Sequence, residues 1–144
     1  MADLIPALPT RIQLQIVSAD RALVNETVDE VEIPGWDGYF GVLPGHTPLL
    51  ALLGAGELWY RQSDVKHYFV IAFGFAEVQP DRVTILAQIA EKADEIDLAR
   101  AEAAKKRAEE RLAPAAGKQV DKSRARAALE RAVNRLKVAQ KYKK

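Results

Sequence analysis

The stretch Val83-Thr84-Ile85-Leu86-Ala87-Gln88-Ile89-Ala90-Glu91-Lys92-Ala93-Asp94-Glu95-Ile96-Asp97-Leu98-Ala99-Arg100-Ala101 decides the fold, because the chain changes character inside it. Val83 to Ala90 is a short apolar run that follows the turn pair Pro80-Asp81, the pattern of a strand. From Ile96 to Leu112 the chain is rich in Ala, Glu, Lys and Arg, all strong helix formers. The break falls at Lys92 to Glu95. Asp94 is positioned to cap the helix start, with Asp97 as an acidic residue three places on.

On the N-terminal side of the break the residues are those of a β-domain. Seven of the eight glycines, six of the seven prolines, both tryptophans, all four phenylalanines and three of the four tyrosines lie there. Ile12, Leu14 and Ile16 alternate with Arg11, Gln13 and Gln15, and Val31 and Ile33 alternate with Glu30 and Glu32. Further strand runs are expected at 49–53, 57–61, 68–73, 75–79 and 83–90. They are separated by Gly54, Gly56, Ser63-Asp64 and Pro80-Asp81. Many short strands at this spacing predict a sandwich or flattened barrel, and about 90 residues suffice for one such core.

On the C-terminal side, Pro114 and Gly117 interrupt the helical pattern, and Asp121 or Ser123 caps a second helix running to about Lys141. The short connection predicts an antiparallel pair. Its apolar positions are Ile96, Ala103 and Leu112 on the first helix, and Ala125, Leu129, Ala132, Leu136 and Ala139 on the second. Alanine buries little area, so the hairpin is expected to be marginally stable. The fold class is therefore α+β in two domains. A β-sandwich (flattened barrel) over 1–93 is followed by an antiparallel two-helix hairpin over 94–144.

Bulk properties narrow the function. Hydrophobic residues make up 49% and charged residues 28%, ordinary for a globular chain. No apolar run reaches the length of a membrane span, and the first ten residues carry no basic patch followed by an apolar core, so no secretory signal is expected. The absence of cysteine excludes disulfides, thiolate metal sites and a cysteine nucleophile. The net charge of +1 conceals a split. Up to Asp94 there are 6 basic and 13 acidic residues; from Glu95 onward there are 15 basic and 7 acidic. A basic tail on an acidic domain points to an acidic partner for the tail.

Neither a carboxylate pair, a triad nor a metal-ligand cluster stands out, and no enzyme activity is expected. His46 has only His67 as a fellow histidine and reads as a structural or interface residue. The basic residues of the second helix, Lys122, Arg124, Arg126, Arg131, Arg135, Lys137 and Lys141, form either a solvated face or a docking face. A nucleic-acid-binding tail and a β-platform adaptor that grips clients are the alternative classes. The acidic β-domain and the scarcity of aromatics in the tail argue against nucleic acid.

Five segments in order carry a family resemblance. The first is Gly41-Val42-Leu43-Pro44-Gly45-His46-Thr47-Pro48-Leu49-Leu50, and Leu53-Gly54-Ala55-Gly56-Glu57-Leu58 follows it. Then come Gly74-Phe75-Ala76-Glu77-Val78 and Val83-Thr84-Ile85-Leu86-Ala87. The last is Ile96-Asp97-Leu98-Ala99-Arg100-Ala101. Together they resemble the epsilon subunits of bacterial F-type ATP synthases over nearly the whole chain.

The resemblance implies a non-catalytic rotor subunit, peripheral on the cytoplasmic side of the plasma membrane and reaching the membrane only through the complex. Its β-domain would bind the γ subunit and the c-ring. Its hairpin would extend toward the α and β subunits and inhibit ATP hydrolysis. Interface residues implied are Trp36, Asp37, Tyr39, Phe40 and His46. Some family members carry an acid where this chain has Tyr39, so the ring contact here falls to Asp37 or to the aromatics. The inhibitory basic face would comprise Arg124, Arg126, Arg131, Arg135 and Lys137. No cofactor is required. ATP as a regulatory ligand would meet Glu91, Ile96, Asp97, Arg100, Ala101, Arg107, Arg131 and Arg135. Guanidinium forks suit phosphate oxygens. Helix chemistry alone gives Asp97 a cap and Arg100 a partner at helical spacing.

Overall fold

The structure, a computed structural model, describes residues 7–117 and 120–142. The outer ends of both expected domains, 1–6 and 143–144, lie outside these residues. Seven strands form one sheet in the order β2-β1-β7-β6-β5-β3-β4. They are β1 (Ile12–Ser18), β2 (Ala22–Val28), β3 (Glu30–Gly35), β4 (Gly38–Val42), β5 (Leu49–Gln62), β6 (Val65–Gln79) and β7 (Arg82–Lys92). All pairings are antiparallel except β1 with β7, which run parallel from Gln13↔Arg82 to Ser18↔Ala87. Gln62 Nε2 donates to the Thr27 carbonyl at 3.1 Å and the Tyr60 hydroxyl to Glu26 at 3.3 Å. These bonds return β5 to β2 and roll the sheet into the flattened barrel that the strand pattern predicts. Burial is the first cause lifting the Tyr60 hydroxyl to about 12, and the Glu26 carboxylate adds to it.

Gly54, Gly56 and Gly74 do not end strands as the sequence implied; they allow two long strands to turn over. In the first half of β5 the odd position Leu53 faces the core, and in the second half the even positions Leu58 and Tyr60 do. Side chains alternate along a strand, so the inward face has switched between them. Opposite this point on β6, Phe73 adopts φ 63° and Gly74 φ 120°. A Cβ on Gly74 would lie 2.0 Å from the Leu86 carbonyl oxygen. Only glycine combines that conformation with that approach. The core holds Ile12, Leu14, Ile16, Val31, Ile33, Leu53, Leu58, Ile71 and Ile85, each at most 1% exposed.

A 3-10 turn at Ala93–Glu95 leads to α1 (Leu98–Leu112), and α2 (Lys122–Tyr142) returns beside it. Asp94 lies within the 3-10 turn. The helix cap is Asp97, whose side chain accepts from the Arg100 N–H at 3.1 Å. Asp121 does the same for α2, accepting from Arg124 N–H at 3.1 Å. Lys122 donates to the Arg111 carbonyl at 2.7 Å, covering the exposed end of α1. The hairpin seam is alanine, as its composition requires. Ala101 and Ala108 on α1, and Ala125, Ala132 and Ala139 on α2, are buried at intervals of seven. Ala103, expected in the seam, is exposed, and Leu129 and Leu136 are half-buried at its margin. The helix that packs on the sheet is α2: Val138 is buried against Val70 and Ala93, with Tyr68 and Ile96 at the rim.

Candidate functional site

Where β7 hands over to the hairpin, the chain encloses a cleft of about 340 Å³. Glu91, Glu95, Asp97, Arg100, Ala101, Ala104, Arg107 and Arg135 line it. The helical spacing of Arg100, Ala104 and Arg107 puts them on one face of α1. Arg135 crosses from α2 and forks onto Glu91. Its Nη2 lies 2.6 Å from Oε1, and its Nε lies 3.0 Å from Oε2. Six of the eight residues expected to meet ATP thus converge. Ile96 packs instead beside Val70, Ala93 and Val138, and Arg131 does not line the cleft. Arg100 and Arg107 form no ion pair among the described residues. Asp97 spends one oxygen on its own helix cap. Sequence reasoning missed two lining residues, Ala104 and Glu95, of which Glu95 is charged. Arg21 donates two bonds to it, at 2.5 and 3.2 Å, and holds its carboxyl below the usual carboxylate range.

The residues 35–41, expected as an open loop, are mostly a β3–β4 hairpin: Gly35 pairs with Gly38, leaving Trp36 and Asp37 at the tip. Trp36 is 65% exposed, and its backbone N–H donates to the Leu52 carbonyl at 2.8 Å. Tyr39 is also exposed, but its hydroxyl accepts from the Glu57 backbone N–H at 3.1 Å. Phe40 pairs with Ile33 and packs, half-buried, against the core. His46 stands apart, half-buried in the turn after β4, with Nδ1 2.6 Å from the Thr47 carbonyl oxygen. The Gly45 N–H ties this turn to Pro80 at 2.7 Å.

A second surface was not foreseen. Leu52, Phe75 and Leu86 stand in register across β5, β6 and β7, exposed by 55%, 50% and 51%, with Leu50 beside them at 70%. An apolar row this exposed marks a contact surface. Its signal was present in the unbroken run 49–53, where a half-buried strand would alternate.

On α2, Arg124, Arg126 and Lys137 are exposed while Arg131 and Arg135 are half-buried. Two cations of this helix are engaged by the β-domain. Arg135 holds Glu91, and Lys141 holds Glu57 at 2.7 Å. The Glu57 bond is the largest cause raising Lys141 above its ordinary value. A sandwich with an exposed apolar row and an aromatic tip, joined to an alanine-seamed hairpin, defines a protein that works by docking on partners.

The family models agree with this build. The β-sandwich domain of the ATP synthase delta/epsilon chain matches residues 11–93, and the long α-helix domain of the same chain matches 94–140. The ATP synthase epsilon chain of Koribacter versatilis is 50% identical over 100 residues, covering 69% of this chain and 70% of its own. That of Syntrophobacter fumaroxidans is 52% identical over 103 residues, covering 72% and 77%. A chain from the Euglena gracilis mitochondrial ATP synthase (OSCP/F1/c-ring) superposes with a TM-score of 0.80 at 28% identity, covering 94% of this chain and 84% of that one. A chain of the Tetrahymena thermophila mitochondrial enzyme shares the fold at 10% identity, with a TM-score of 0.58. The chain belongs to the ATP synthase delta/epsilon chain family, and its similar curated relatives are epsilon chains. No helix of the described residues is long and apolar enough to cross a membrane.

Proposed function

We propose that this chain is a non-catalytic rotor subunit of a proton-translocating F-type ATP synthase. Residues 1–93 couple rotation to ATP synthesis, and residues 94–144 restrain ATP hydrolysis. The observation that carries this reading is the division of surfaces on the sandwich. The hairpin covers one outer face, where α2 lies along β5 and β6 with Val138 on Val70, while the row Leu50, Leu52, Phe75 and Leu86 stays open. The open row suits the γ subunit, and the adjoining tip of Trp36, Asp37 and Tyr39 suits the c-ring, because aromatics are favoured at interface cores. The subunit then sits peripherally on the cytoplasmic side of the membrane, held there by its partners. When the hairpin opens, Arg135 and Lys141 leave their carboxylates. They join Arg124, Arg126, Arg131 and Lys137 as a basic face for acidic segments of the α and β subunits. Removal of residues 94–144 should leave assembly intact and raise hydrolysis by the assembled enzyme. Unchanged hydrolysis refutes the restraint.

The cleft supports a regulatory ATP site in the folded hairpin. Arg100 and Arg107 of α1 and Arg135 of α2 converge with no Gly-rich phosphate loop, so the site holds nucleotide without hydrolysing it. Bound ATP favours the folded state by the difference in its affinity for the two states. Calorimetry on the full chain with millimolar ATP tests this, and absence of heat rejects it.

A further inference from the structure

The cleft walls carry three carboxylates beside three guanidinium groups, so in bare charge count they are neutral toward a polyanion. The carboxylates are not equivalent. Glu91 is covered by the fork of Arg135, and Asp97 is bound into the α1 cap. Glu95 has no partner from the cleft walls. Its partner comes from the turn between β1 and β2, on the far side of the connector: Arg21, which does not itself line the cleft. The two parallel bonds of this fork fix the plane of the Glu95 carboxylate. The same carboxylate accepts from the Lys92 backbone N–H at 3.5 Å, so it is drawn toward the connector.

We propose that Arg21 is a positioning residue for the nucleotide cleft, neutralising Glu95 and holding it against the connector so that Arg100 and Arg107 set the charge a polyphosphate meets. The inference rests on the reading of the cleft as an ATP site. Arg21 acts through Glu95 and touches no ligand. Its effect must therefore scale with ligand charge and fade with salt, whereas a packing role would do neither. The clasp is exposed, with side chains 52% and 37% accessible, so the effect is modest.

The test is calorimetric titration of the full-length chain with ATP and AMP at two salt concentrations. The proteins are the wild type, R21M, R21K and the double variant R21M/E95Q. R21M should weaken ATP binding by roughly three-fold near 0.1 M salt and by more at lower salt. AMP, with fewer charges, should lose less. R21K should retain most of the affinity. R21M/E95Q should return to the wild-type value, because the charge that R21M exposes is gone. Equal ATP affinity in R21M and wild type overturns the proposal, as does failure of E95Q to rescue. Absence of ATP binding in the wild type overturns the cleft reading itself and this inference with it, and the wild-type titration alone separates the two failures.

Discussion

Val138→Ala tests the hairpin's docking on the sandwich, because Val138 is the one side chain of α2 that closes the small cluster with Val70 and Ala93. It is fully buried there. The substitution removes two methyl groups, at about 0.8 kcal/mol each, or about 1.6 kcal/mol of docking. Alanine is the better helix former by about 0.5 kcal/mol. That gain cancels if the undocked hairpin stays helical and offsets part of the loss if it melts. The docking equilibrium should therefore shift by about five- to fifteen-fold, since 1.4 kcal/mol is tenfold. Hydrogen exchange on the full chain reads this directly. Amides of α2 should exchange faster by that factor, while those of β1 and β7 stay at the wild-type rate. Equal acceleration in β1 and β7 would show that hairpin and sandwich open as one unit. Unchanged α2 rates would show that the Val138 contact does not hold the hairpin. Either result refutes a separately opening brake.

Gly74→Ala should destabilise the sandwich by at least about 3 kcal/mol, because its Cβ meets the Leu86 carbonyl at 2.0 Å in a left-handed conformation. The midpoint of thermal unfolding should fall by more than about 12 °C. Phe75→Asp and Leu86→Asp should leave that midpoint nearly unchanged, within about 0.5 kcal/mol, yet abolish co-purification with the γ subunit. The Lys141–Glu57 bond raises the lysine above its ordinary value of 10.5, so the charged form is favoured by docking. Its contribution is complete below pH 10.5 and is lost as pH rises through the raised value. A fluorescent distance probe between β7 and α2 should report loosening in that alkaline range, and Lys141→Met should remove the pH dependence.

The domain plan was legible because composition and period change together at Lys92 to Glu95. Alternation exposed β1 and β3, and Asp121 was one of the two caps read for α2, whereas the cap of α1, read at Asp94, lies three residues later at Asp97. Three features were hidden for definite reasons. The strands β2 and β4 carry mostly exposed residues, so they show no apolar period. The glycines of β5 and β6 read as breakers, yet they serve a change of inward face, and that is a tertiary event. The Arg21–Glu95 clasp joins residues 74 positions apart, a juxtaposition set by the pairing of β1 with β7. Arg100 and Arg107 were named for the cleft through the family resemblance, and helical spacing sets them on one face of α1. The occupation of Arg135 by Glu91 was not legible.

The alanine seam and the charge clasps make one physical argument about control. Helices joined through Ala101, Ala108, Ala125, Ala132 and Ala139 approach closely but bury few methylenes, so the hairpin contributes little to its own stability. The docking cluster adds only Val138 on Val70 and Ala93. A ligand present at 100 times its Kd stabilises the state it binds by about 2.7 kcal/mol. Against a leucine-packed hairpin, where each buried leucine adds about 2 kcal/mol, that amount would shift nothing of consequence. Against this seam it is comparable to the apolar part of the docking contact. A nucleotide held by Arg100 and Arg107 on α1, beside Arg135 of α2, would add a link between the two helices. At the proposed ATP site, the thin seam would give the nucleotide a lever on the hairpin. Replacing the central seam alanine, Ala132→Val, tests the point. Its added bulk should push α1 and α2 apart and weaken ATP binding while the sandwich melts at the wild-type temperature, and unaltered ATP affinity in that variant would contradict it.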